Sequence, residues 1–338
     1  MTELITWKRA FEHTVFSLLG NYTASAHTAL AAFGAIALEW QELPFSKAPP
    51  FVSGISPGGS PLECSIHLPT SGRYQLRFVT EPHHPHLSLG ANLDHMRRRA
   101  LDFLSQWSGK PAAAFASSAF ALFPDQDQPI AERLFFLWLG LVIDPERGAG
   151  ATKLYLNPWA TLPEKQGMYS IYALLDLAGL ADNALSWIRQ LMTCGIPMIP
   201  HIVGINLNAA GATAIKIYFV ASSVPLHAIK RLMHEWPAPL GNWDPLLELV
   251  ARERDSGDVQ CALLFQPREP IPQLKVCLAC PDWFSADARV LETIEQACGN
   301  HVVLDRLQSL CQTQTLERTC NFLSLENKGI TLYFQALA

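Results

Sequence analysis

Apolar residues along this chain follow two alternating rhythms. They recur at helical spacing over residues 3–20 and 25–41, then at a period of two in Leu62–Leu68 and Tyr74–Glu81. The stretch between those two runs, Pro69-Thr70-Ser71-Gly72, has turn chemistry, so together they predict a β-hairpin. The same succession returns four times. Helical 90–107 and 111–123 precede strands 133–144 and 152–157. Helical 166–179 and 182–193 precede strands 197–207 and 213–221. Helical 224–236 and 243–252 precede strands 260–266 and 273–280. Helical 285–298 and 302–312 precede strands 316–325 and 330–337. The chain is thus an α-α-β-β unit repeated five times.

Ten short strands joined mainly by tight turns have edges to protect, and closing the sheet into a barrel removes them. The paired helices then form an outer ring. Eight strands enclose a lumen that side chains just fill, so ten predict a central cavity, and cavities bind ligands. The expectation is an α/β chain, a ten-stranded antiparallel β-barrel surrounded by helices, forming a single domain over residues 1–338.

The second strand of each unit carries polar residues in an otherwise apolar run: Leu76-Arg77-Phe78, Lys153-Leu154-Tyr155, Lys216-Ile217-Tyr218, Lys275-Val276-Cys277 and Leu332-Tyr333-Phe334. Alternation puts the polar residues of each strand on one face. In an open sheet that face meets water. In a barrel coated by amphipathic helices the outer face must be apolar, and the Lys, Arg and Tyr side chains turn into the lumen. Buried lysines need a partner. Several cations and hydroxyls converging in a barrel suit a diphosphate, whose oxygens accept from all of them.

Composition narrows the classes. The 338 residues are 49% hydrophobic and 16% charged, which supports a large core and excludes extended disorder. A net charge of −5 gives no basic field for nucleic acid or an anionic membrane. No apolar run reaches the roughly 18 residues of a membrane span. The first residues lack the pattern of a secretory signal, so the expectation is a cytoplasmic protein.

Eight cysteines in that setting are expected to stay reduced. Cys277 and Cys280 have the spacing of a metal pair but fall in a strand-like run without a second pair, so no metal site is expected there. Gly148-Ala149-Gly150-Ala151-Thr152-Lys153 resembles a phosphate loop, but leads into a strand rather than a helix and lacks the required gap. His83, His84 and His86 lie in a Pro-bearing segment and read as a solvated turn.

These residues resemble a known family. The α-α-β-β repeats are similar to the barrel of the aromatic prenyltransferases, and the motifs are similar to those of its dimethylallyltryptophan synthase branch. Ser60-Pro61-Leu62-Glu63-Cys64-Ser65 resembles the family's Pro-x-Glu-x-Ser strand. Leu76-Arg77-Phe78-Val79-Thr80-Glu81-Pro82 resembles its Arg-Phe-x-x-Glu-Pro strand. Lys153-Leu154-Tyr155 and Lys216-Ile217-Tyr218 resemble its Lys-x-Tyr strands, and Tyr333 sits where the family has a further lumen tyrosine.

The resemblance implies transfer of a dimethylallyl group from dimethylallyl diphosphate, or a geranyl group from its homologue, to an indole-type small molecule through an allyl cation. Glu63 would accept the indole N–H and its proton. Arg77, Lys153, Lys216 and Lys275 would hold the diphosphate, and Tyr155, Tyr218 and Tyr333 would shield the prenyl chain. No cofactor is required by that chemistry, and no Asp-rich magnesium motif occurs in the chain.

The chain departs from fungal members at Ala214, where they carry arginine, and at Cys277, where a tyrosine is expected. The strand around Trp138 and Gly140 is apolar where some fungal members carry a lysine. Its shorter length is similar to bacterial members, among them cyanobacterial enzymes acting on hapalindole-type alkaloids. His67, Trp138 and His201 are candidates for the acceptor pocket, with Trp159 a weaker one, and Glu81 is expected to pair with Arg77. The alternatives are a peptide prenyltransferase of the cyanobactin type, a phenol or naphthol acceptor, and a non-catalytic barrel binding an anionic lipid.

Overall fold

The computed structural model describes residues 5–45, 51, 53–55, 59–70, 73–123, 136–159, 164–238, 240–299, 301–312 and 319–335. The first unit supplies helices α1 (Trp7–Leu19) and α2 (Thr23–Ile36) and strands β1 (Leu62–Pro69) and β2 (Gln75–Thr80). The second supplies α3 (Leu89–Trp107), α4 (Lys110–Ala121), β3 (Leu137–Asp144) and β4 (Gly148–Leu156). The third has α5 (Glu164–Leu177), α6 (Ala184–Met192), β5 (Ile199–Asn208) and β6 (Gly211–Pro225). In the fourth, α7 (Leu226–Glu235) and α8 (Asp244–Ala251) precede β7 (Ser256–Phe265) and β8 (Gln273–Ala279). A short α9 (Cys280–Trp283) then leads into α10 (Asp287–Cys298), α11 (Val302–Gln312), β9 (Cys320–Glu326) and β10 (Gly329–Gln335).

Each strand pairs antiparallel with its sequence neighbours, and β1 pairs with β10, so the sheet closes into the expected ten-stranded barrel. Ser65 stands opposite Tyr333 on one side and Arg77 on the other, which sets the register of that closure. At the β10 start a side chain is excluded. A Cβ on Gly329 would lie 2.2 Å from the Leu68 carbonyl oxygen, and its φ of +153° is one that only glycine adopts readily.

The strand alternation separates two apolar regions. Leu62, Cys64 and Ile66 of β1, Leu76 and Phe78 of β2, and Ile215, Ile217 and Phe219 of β6 face outward and pack with the helices in one continuous core. Phe78 shows the fit, with its ring 5.0 Å from Phe11 and 6.5 Å from Phe33. Fully burying such side chains contributes about 2 kcal/mol each. The helices therefore turn the polar face of every strand inward. A second apolar cluster of Ile55, Trp138, Ile202, Tyr218 and Ala262 sits inside the barrel.

Of the boundaries that differ from expectation, three have a clear local cause. Residues 148–151 are the beginning of β4, paired with Ile143 and Asp144, which settles their resemblance to a phosphate loop in favour of a strand. β6 runs on to Pro225 through a register shift after Ala221, where Ser223 takes a positive φ of 54°, so the helix expected from 224 begins at Leu226. The strand expected to reach 280 stops at Ala279, because Pro281 cannot extend the ladder and instead occupies the first turn of α9. Cys277 thus stays in the sheet while Cys280 begins a helix.

Candidate active site

The odd-numbered strands all run from one end of the barrel towards the hairpin turns, so residues two apart on a polar face lie at successive depths. At the open end a cavity of about 500 Å³ is lined by Glu63, Val79, Trp138, Tyr155, Tyr218 and Tyr333, with Ile55, Ile202, Cys277 and Phe322 completing much of its apolar wall. His201, Asp258 and Asp282 also border it. The aromatic wall is continuous, with Trp138 and Tyr155 centroids 6.2 Å apart and Tyr155 and Tyr218 also 6.2 Å apart. Gly204 makes room for the tyrosines, since a Cβ there would lie 3.0 Å from the Tyr155 ring and 3.3 Å from that of Tyr218.

One step towards the turns stand Arg77, Lys153, Lys216 and Lys275, directly preceding Tyr155 on β4, Tyr218 on β6 and Cys277 on β8 in the alternation. The three lysines are buried. Burial first, then Arg77, Lys216 and Lys275, holds the Lys153 ammonium well below the ordinary lysine range. Burial and the Lys275 charge lower Lys216 to about 8. Lys275 behaves oppositely. Burial works against its charge, but Glu326, together with smaller contributions from Tyr333, Cys277 and Tyr218, outweighs it and holds the ammonium well above the ordinary range. The Lys275 Nζ lies 3.1 Å from Glu326 Oε1 and donates to the Tyr333 hydroxyl at 2.5 Å. It is 4.8 Å from the Tyr333 ring centroid, so it meets the hydroxyl end of the ring rather than its face.

Glu63 is buried and accepts a hydrogen bond from Asn321 Nδ2 at 2.8 Å on Oε2. Burial raises its carboxyl to about 8, against the smaller lowering effects of Asn321 and Lys275. A carboxyl in that state is poised near neutrality to exchange a proton with a group in the cavity.

Of the residues singled out from the sequence, Glu63, Tyr155, Tyr218, Tyr333, Trp138 and His201 meet at the cavity, and the four cations meet beneath it. Two expectations about the lumen strands need correction. His67 lies on the Glu63 face but below the cavity, where its Nδ1 is 2.9 Å from Thr331 Oγ1; burial and Arg77 lower its pKa to about 3, so the ring is neutral. Glu81 does not pair with Arg77. It lies beyond the last residue of β2, and its carboxylate accepts from Ser53 Oγ at 2.8 Å, while Arg77 donates to Gln75 Oε1 at 3.2 Å.

The histidine segment is packed rather than solvated at two of its three positions: His83 stacks on Phe51 at 3.9 Å, Asn92 donates to the His84 carbonyl, and His86 is exposed. Trp159 packs outside the barrel against the helical core. Among the described residues no three His, Cys, Asp or Glu side chains are grouped to hold a metal ion, and no helix is long and apolar enough to cross a membrane.

Glu326 and Asn321 also belong to the lumen, although neither carries a signal of it in the sequence. Glu326 opens Glu-Asn-Lys-Gly, which reads as a solvated hairpin turn, and Asn321 falls inside the strand expected over 316–325, where nothing marks its side chain. In the barrel both side chains engage lumen residues.

No protein-family model matches the sequence, and no curated protein does. Solved structures do. The 6-dimethylallyltryptophan synthase of Micromonospora olivasterospora, solved with DMASPP and Trp, superposes with a TM-score of 0.81 at 16% identity over 98% of each chain. The 5-dimethylallyltryptophan synthase of Streptomyces coelicolor, also solved with DMASPP and Trp, gives 0.80 at 17% identity over 99% of this chain and 96% of that one. AnaPT of Neosartorya fischeri gives 0.72 at 14% identity over 98% and 92%. At these identities the likeness shows the fold. The chain has the barrel of the dimethylallyltryptophan synthases, as its five-fold repeat predicts.

Proposed function

We propose that this chain is an aromatic prenyltransferase, moving a dimethylallyl group from dimethylallyl diphosphate to an indole or tryptophan-derived acceptor. One observation carries the reading: three buried lysines and the half-buried Arg77 form a band beneath a tyrosine-walled cavity that also holds a buried carboxylate, Glu63. A lumen built only to bind an anion gains nothing from that carboxylate.

The diphosphate lies on the cations, and the prenyl chain extends into the cavity among Tyr155, Tyr218 and Tyr333. The allylic C–O bond breaks, its electron pair leaving with diphosphate. Arg77, Lys153, Lys216 and Lys275 stabilise the charge that develops on the leaving group, usually the largest single contribution in such a site. Tyrosine faces shield the allyl cation from water and attract it, by about 0.5–2 kcal/mol per contact. The acceptor ring, held against the cation, supplies the electron pair of the new C–C bond, and rearomatisation releases a ring proton. Glu63 accepts the hydrogen bond of the acceptor N–H, which raises ring nucleophilicity, and takes up the proton. Asp258 and Asp282 at the cavity border give an amine on the acceptor an opposite charge to meet. Protein cations supply the leaving-group stabilisation, so the reading calls for no cofactor.

The direct test incubates the protein with dimethylallyl diphosphate and a panel of indole acceptors, following diphosphate release and product mass. Prenylated indole is the expected result. Diphosphate bound with no transfer to any indole, phenol or peptide acceptor would return the barrel to an anion-binding role. The electrostatics add a second expectation. Because Lys216 loses its proton near pH 8, the affinity for inorganic pyrophosphate should fall between pH 7 and pH 9. Calorimetric titration at the two pH values measures it, and a flat profile would remove Lys216 from the anion site.

A further inference from the structure

Glu326 is the one acidic side chain with a close contact to the cation band among the described residues, and the mechanism above does not use it. Its side chain is half-buried at the β9–β10 end of the lumen, and its carboxylate is held from three sides. Oε1 lies 3.1 Å from Lys275 Nζ, accepts from Thr331 Oγ1 at 3.0 Å and from Ser324 Oγ at 3.4 Å. The Thr331 hydroxyl in turn meets His67 Nδ1. A carboxylate inside a diphosphate cradle is a liability by charge alone, since it repels the ligand. Its close, multiply bonded geometry needs another account.

We infer that Glu326 is a positioning residue of the diphosphate site, which fixes the Lys275 ammonium against the Tyr333 hydroxyl before the donor arrives. This rests on the proposed prenyl-transfer reading and deepens its donor half. Glu326 tethers one of the four cations, so that Lys275 meets the ligand already charged and in place. The groups facing this cluster are His67 from β1, Arg77 from β2, Lys153 and Tyr155 from β4, Lys216 and Tyr218 from β6, Cys277 from β8 and Tyr333 from β10. His67 and the tyrosines are neutral near pH 7, so the cations around Lys275 have Glu326 as their close counter-charge. Burial disfavours the Glu326 charge, yet Lys275, Lys216 and Arg77 outweigh it and keep the carboxyl ionised. Without that carboxylate, Lys275 would stand buried among like charges, as Lys153 does, and would shed its proton more readily.

The consequence is a proton count. In the native protein Lys275 is already charged when the diphosphate binds and takes up nothing. In Glu326→Gln it must be recharged by the ligand. Pyrophosphate binding at pH 8 is measured by calorimetry in two buffers of different ionisation enthalpy, which gives the protons taken up per ligand. The variant is expected to take up about one proton more than the native protein. The ligand's own titration is common to both and cancels. Equal uptake by the two proteins would overturn the inference, because a merely structural role would alter affinity or stability without altering that number. Glu326→Asp, which keeps the charge, should restore the native count.

Should Glu326→Gln not fold, the native protein still decides. Lysine side-chain NMR should show Lys275 protonated beyond the pH at which Lys216 titrates, and their titration together would overturn the assignment. Absence of pyrophosphate binding by the native protein would instead sink the prenyl-transfer reading itself, so the two failures are distinct.

Discussion

Glu63→Gln is expected to lower turnover by about 10²-fold or more while leaving the dependence on donor concentration close to native. Glutamine keeps the shape and can still meet Asn321, but it cannot take a proton. In the native protein burial raises the carboxyl to about 8, so kcat/KM should climb with pH towards that value as the base form appears. The climb should vanish in the variant. Lys216, also near 8, governs the opposite limb, because the donor site weakens as that ammonium is lost. A narrow optimum close to pH 8 follows, with only its acid side assigned to Glu63.

The same substitution carries a stability signature of opposite sign. Glu63 has a folded-state pKa of about 8 against 4.5 in the unfolded chain. The folded state therefore binds the proton more tightly across that interval. Its contribution is complete below pH 4.5 and is lost as pH rises through about 8. Glutamine removes the buried charge, so Glu63→Gln should melt higher than the native protein at pH 8–9 and differ least near pH 5. A variant that is more stable and nearly inactive marks a site residue. Near-normal prenylation would sink the base assignment.

Face and depth were unequally legible in the sequence. Lys216-Ile217-Tyr218 placed its polar residues on one face by alternation alone, and the five-fold repeat turned that face inward because the helices claim Ile217 and its outward neighbours. Period two says nothing of how far along the barrel a side chain sits. His67 shares the face of Glu63, but four residues at about 3.3 Å each carry it roughly 13 Å further, out of the cavity and into the cation band. Glu81 failed for a related reason. β2 ends at Thr80, so alternation no longer governs Glu81, and Ser53 on the segment before β1 takes its carboxylate. Glu326 was hidden by its own turn signal. A carboxylate beside Asn-Lys-Gly reads as solvated, and only the β8–β9 pairing, with Val276 opposite Leu325, brings Lys275 within 3.1 Å of it. Asn321 likewise meets Glu63 only because β9 and β1 both flank β10, a contact 258 residues apart in the chain.

Lys216→Ala is expected to cut kcat/KM for dimethylallyl diphosphate by about 10²-fold, a larger loss than its neighbour on β8 would give if neutralised together with Glu326. The reason lies in how the four cations are paired. Lys275 spends part of its field on Glu326, whereas Lys216 and Lys153 are buried chiefly against other cations, which lowers both pKa values. Such groups are poorly satisfied in the empty barrel and gain most when a diphosphate arrives. Removing Lys216 therefore relieves repulsion in the free protein and forfeits attraction in the loaded one. The variant should keep or raise its melting temperature while its donor requirement rises, and added salt should change little, since screening reaches buried charges weakly. A donor requirement unchanged by Lys216→Ala would show that the diphosphate lies elsewhere. A fall in melting temperature with the donor requirement intact would make Lys216 a packing residue.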